Sequence, residues 1–144
     1  MSTMTDFFET DSTLGVFYPS GYLIAAFRDQ QTAEKASLLL HKAGFSEKEI
    51  LLVSGIEFLQ YFEEFRAHSG MMAEVMSMLS RTFGTEQAYA DDDIRRAQAG
   101  AGFLVIHVIR SPEEQDVHKI QKLLESIGPL AIHWYRTGGV ESLI

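Results

Sequence analysis

The sequence predicts an α+β fold in which one split β-α-β unit occurs twice, and three observations carry that expectation. Two short apolar runs, 21–27 and 103–109, each lead through a capping residue into apolar positions spaced three or four apart. Each of these stripes stops at a glycine and is followed by a second apolar run, 49–54 and 130–135. The longer strand and helix alternation of a doubly wound sheet is missing. Two such units in one small chain are the pattern of a ferredoxin-like sandwich, with a four-stranded antiparallel sheet, its first and third strands in the middle, and here a helical insert between the units.

Residues 1–20 mix Asp6, Glu9 and Asp11 with Phe7, Phe8, Phe17 and Tyr18. That is more aromatic than a disordered tail, so the stretch is expected to be an arm docked on its own domain or on a partner's. The domain spans 21–136. Its first strand, 21–27, hands over to Asp29 as N-cap. Ala33, Ala36, Leu39, Leu40 and Ala43 form the buried stripe of the first helix, and Gly44 ends it. The insert, about 55–99, has no strand signal. Ser54 caps it with Glu57 three residues on, and Phe58, Tyr61, Phe62 and Phe65 line one side of a short helix. Beyond Gly70, the residues Met71, Met72, Val75, Met76, Met78 and Leu79 make a second helical piece, whose methionines read as plastic core. A third piece starts at Gly84.

The second unit is marked more sharply. Its strand, 103–109, alternates nothing and is rich in β-branched residues. Ser111 can cap, Pro112 suits the first helical position, and Glu114 completes a capping box. Val117, Ile120, Leu123, Leu124 and Ile127 follow as one stripe to Gly128. The return strand ends near 135, and 137–144 reads as a C-terminal tail.

In the first and third strands both parities are apolar: Tyr22, Ile24 and Ala26 against Leu23, Ala25 and Phe27, and Phe103 and Val105 against Leu104 and Ile106. Strands buried on both sides read this way. The two repeat helices cover one face, so something else must cover the other, on the order of 400 Å², which is as large an apolar patch as monomers tolerate. The insert or a second copy of the chain is expected there. The expectation carried forward is a homodimer through this face, with Ile24, Phe103, Val105 and Ile109 at the interface.

With 144 residues, 46% of them apolar, the chain is sized for one domain with a full core. It has no cysteine, which excludes disulfides, thiolate metal sites and thiol nucleophiles, and which fits a cytoplasmic protein. No apolar run approaches the roughly 20 residues of a membrane span, and the first residues lack an export pattern. A net charge of −8 repels phosphate backbones and anionic lipid, so neither nucleic acid nor membrane is an expected partner.

One resemblance adds biology. Residues 25–29 leading to Thr32, Ala33, Glu34, Lys35 and Ala36, then Ala43, Gly44 and Phe45, then 50–54, and finally Gly84 to Tyr89 and 95–105, resemble the heat-induced general stress protein domain (YflT-type) family of bacterial stress proteins. The similarity covers about 21–136 and falls on core positions and turn glycines, while the Met-rich insert and the N-terminal arm depart from it. It implies a small stress-associated domain and supplies no catalytic residues.

The candidate chemistry is sparse. His107 and His133, on the third and fourth strands, are candidate ligand-binding residues together with Tyr22 and Tyr135. The first strand stands between the two histidines, which puts them roughly 10 Å apart, too far for one ion, so no metal or cofactor is assigned. Asp91, Asp92 and Asp93 lack the alternate oxygens, glycine turn and distal glutamate of a calcium loop. They read instead as a solvated acidic turn before the helix of Ile94, with Arg95 and Arg96 as surface partners. The run 100–105 has Ala99, Ala101 and Ile106 where an RNA-recognition strand needs a basic residue and two aromatics. Its glycines open no helix, as a dinucleotide fingerprint would. No catalytic residue stands out. The expected function is a non-enzymatic, stress-associated binding or interaction domain. The alternatives are a regulatory small-ligand domain of ACT-like type, or a small enzyme with a pocket on the sheet face.

Overall fold

The computed structural model describes residues 21–61, 63, 84–108, 115–136 and 139–143. The elements run β1 (Tyr22–Phe27), α1 (Gln30–Lys42), a short 3-10 turn (Glu47–Glu49), β2 (Ile50–Val53), a helix α2 over 55–61, α3 (Gly84–Gln98), β3 (Gly102–His107), α4 (Gln115–Glu125), β4 (Ala131–Arg136) and β5 (Gly139–Ser142). The arm, the methionine segment, Ile109 and the cap at Ser111 lie outside the described residues.

The sheet is antiparallel throughout, in the order β2-β3-β1-β4-β5. It has five strands where four were expected. The fifth comes from the stretch read as a tail: Trp134 pairs with Glu141 and Tyr135 with Val140. The Leu143 amide then donates to the Ile132 carbonyl, and the Gln121 side chain of α4 donates to the Leu143 carbonyl at 3.0 Å. Gly139, Glu141 and Ser142 are poor strand formers, so pairing with β4 makes this a strand where composition does not.

Local signals set the helix ends. Asp29 accepts from the Thr32 amide at 2.7 Å and from its hydroxyl at 2.6 Å, and these bonds hold its carboxyl below the ordinary aspartate value. At the other end of α1, Gly44 takes φ +101° while the Phe45 amide reaches the Leu40 carbonyl, a glycine-terminated cap. The predicted capping box of α2 is formed: the Ser54 hydroxyl accepts from the Glu57 amide, and the Glu57 carboxylate accepts from the Ser54 amide.

All six residues of β1 are buried, as the absence of alternation implied. On one face, α1 and α4 cover Leu23, Phe27, Leu104, Ile106 and Ile132 with Leu40, Ile120 and Leu124. On the other, the insert does the covering. Phe58 of α2 stacks on Phe103 of β3 with ring centres 4.0 Å apart, and Ala97 and Ala101 complete the layer over Ile24 and Val105. Gly55 makes this possible: a Cβ there would lie 2.7 Å from the Ala97 carbonyl oxygen, so only glycine lets α2 start against the end of α3. This corrects the interface expectation. Ile24, Phe103 and Val105 are core residues of a single chain, at most 1% exposed, and not a surface held open for a second copy.

Candidate functional site

The antiparallel register places the four candidate residues on one face of the sheet. Tyr22 is directly opposite His107 on one side and Tyr135 on the other, and His133 sits one pleat along, opposite Ile24. The Tyr22 and His107 rings stack at 4.4 Å, and His133 meets Tyr135 edge-on at 6.5 Å. β1 does separate the two histidines. Among the described residues, no group of three histidine, aspartate or glutamate side chains surrounds a common point fit for a metal.

The quartet then divides. His133 is 3% exposed, and Tyr22 and Tyr135 are equally buried, whereas His107, the last residue of β3, is half-buried and reaches the surface. Over His133 lies a residue that the sequence reading misplaced. Asp93 is no part of a solvated turn. It sits in the second half of α3, 1% exposed, and its carboxylate accepts from the Arg96 guanidinium at 3.0 Å. Its other oxygen is 3.9 Å from His133 Nδ1, beyond hydrogen-bond reach. The spacing held the clue: Asp93 and Ala97 stand four residues apart on α3, so one face of the helix buries both. Asp92, facing out, forms an exposed ion pair with Arg95.

Burial pushes the His133 imidazole down to about 4, the neighbouring Arg96 guanidinium pushes the same way, and Asp92 opposes them. At neutral pH the ring is uncharged, so Asp93 draws its counter-charge from Arg96. A buried carboxylate needs such a partner, because desolvation would otherwise outweigh its place in the fold. Tyr61 of α2 belongs to the same layer, and burial raises its phenol well above the ordinary tyrosine value. A carboxylate beside an imidazole could act as a general base, but a base must touch the proton it removes. Both groups are sealed beneath α3.

His107 opens elsewhere. It lines a cleft of about 230 Å³ between the end of α1 and the first turn of α4, together with Phe45, Glu49, Asp116, Lys119 and Ile120. Periodicity could not have announced it, because its residues come from three separate stretches. No family model, curated protein or solved structure matches the chain.

Proposed function

We propose that the chain is a non-enzymatic binding domain of ferredoxin-like architecture, extended by a fifth strand and by an insert that seals its sheet. The strand order β2-β3-β1-β4 and the two β-α-β units support that architecture. A stress-associated, cytoplasmic setting is part of the proposal and rests on the residue resemblance and on the cysteine-free composition. One observation carries the choice of binding over catalysis: the histidine with the perturbed pKa and the carboxylate beside it are buried between sheet and insert, where no reactant reaches them. The homodimer expected from the sequence was to close the second sheet face. With α2 and α3 already there, that reason is gone, and the binding surface lies outside the sheet faces.

The cleft at His107 favours a small-ligand domain within this class. The test is to incubate the purified chain with pools of metabolites, following thermal shifts and products by mass spectrometry together. A shift without conversion is the expected result. Conversion that disappears in His133→Gln would overturn the reading in favour of an enzyme.

A further inference from the structure

The cleft between α1 and α4 carries charges that no ion pair among the described residues neutralises. Glu49 stands on the side of the turn after α1, and Lys119 and Asp116 on the first turns of α4. The ion pairs among the described residues are Arg28 with Asp29, Arg95 with Asp92, Arg96 with Asp93, and His133 near Asp93; none includes Glu49, Asp116 or Lys119. Three charges of both signs thus border one cavity without neutralising each other within 4.0 Å. Asp116 has a local explanation, since an acid in the first turn offsets the positive end of its own helix. Lys119 has only the Phe45 ring beneath its ammonium, and Glu49 has no such explanation.

Glu49 borders the cleft on the α1 side and Lys119 on the α4 side, and these two side chains set the field across it. The helix ends add little, because Asp116 offsets the positive start of α4, and His41 and Lys42 in the last turn of α1 offset its negative end. A ligand matching that field has its cation toward Glu49 and α1 and its anion toward Lys119 and α4. Between them the wall is apolar, with Phe45 and Ile120, and the Lys119 ammonium already lies over the Phe45 ring, 5.6 Å from its centre. Size narrows the ligand further. About 230 Å³ is below the clefts of drug-sized molecules and suits roughly ten non-hydrogen atoms.

We infer that this cleft binds a small zwitterion, a free α-amino acid or a molecule of the same charge pattern and size. Its ammonium faces Glu49, its carboxylate faces Lys119, and its side chain lies on Phe45 and Ile120. This rests on the reading of the chain as a binding domain and names the class of ligand.

Calorimetric titration of the full chain with each of the common L-amino acids tests it, followed by the amide and the N-acetyl form of the tightest binder, each lacking one charge. Saturable binding is expected, weakened roughly tenfold or more by loss of either charge. Lys119→Gln should weaken the amino acid but not its amide, and Glu49→Gln should weaken it but not the N-acetyl form. Both are surface changes whose folding circular dichroism checks. Equal binding of the singly charged forms, indifference of both variants, or no amino acid bound at millimolar concentration would overturn the inference. Mass analysis of the same samples keeps the two proposals apart. Binding with conversion sinks the non-enzymatic reading and leaves the cleft, whereas a metabolite bound elsewhere sinks the cleft and leaves the reading.

Discussion

The two faces of the sheet are covered by different means. On the face under α1 and α4, the cover is supplied by helices that directly join the strands they rest on, and the contacts are aliphatic and aromatic: Leu23, Phe27, Leu40, Leu104, Ile120, Leu124. On the face under the insert, Phe58, Ala97 and Ala101 share the layer with Asp93, Arg96 and His133. Apolar packing is indifferent to pH and tolerant of position, whereas buried charge must be paired in place. The difference teaches that the insert is attached by a mixture of packing and electrostatics, and that this attachment should respond to conditions the other face ignores.

The largest effect should come from Phe58→Ala. Removing the ring stacked on Phe103 costs about 3–5 kcal/mol by urea unfolding, the range for a fully buried phenylalanine. Hydrogen exchange should show α3 amides losing protection before those of α1 and α4. Simultaneous loss everywhere would mean that the two covers form one cooperative unit.

Acid should sharpen the contrast. The folded chain holds His133 at about 4, below its ordinary 6.5, so from pH 6.5 downward the unfolded chain takes up a proton that the folded one refuses. Stability fully present above 6.5 is then lost as pH falls to about 4, by on the order of 3 kcal/mol. His133→Leu should remove that step from the stability profile while leaving the shared carboxylate titrations. Superimposable profiles for the two proteins would show that the ring does not titrate as a buried group. The smallest effect belongs to Ser54→Ala, which deletes the cap of α2 and costs about 1 kcal/mol. A change in the thermal midpoint without faster exchange in α2 would separate the cap from the insert's attachment.

Much of this could be read in the residues beforehand. Asp29, Gly44 and the pair Ser54 and Glu57 mark helix ends because capping acts over three or four residues. The double burial of β1 and β3 was equally visible, since both parities are apolar. What covered the second face was not. Ile24, Phe103 and Val105 announce that they need a partner surface, and nothing local distinguishes a helix of the same chain from a second copy. Asp93 misled for a related reason: in a run of three aspartates, composition speaks for solvent, and only a helix begun at Gly84 turns the third of them inward.

Taken alone, the order of residues determined both ends of α1 and the start of α2, which strands are buried on both sides, and the acidic, cysteine-free character of the chain. These depend on neighbours a few positions apart. Tertiary structure alone decided that Gly139–Ser142 becomes a strand, that the insert rather than a second molecule closes the sheet, and that Glu49 and Lys119 border one cleft. Each of these joins residues far apart in the chain, and such meetings are set by the balance of packing, pairing and desolvation across the whole fold.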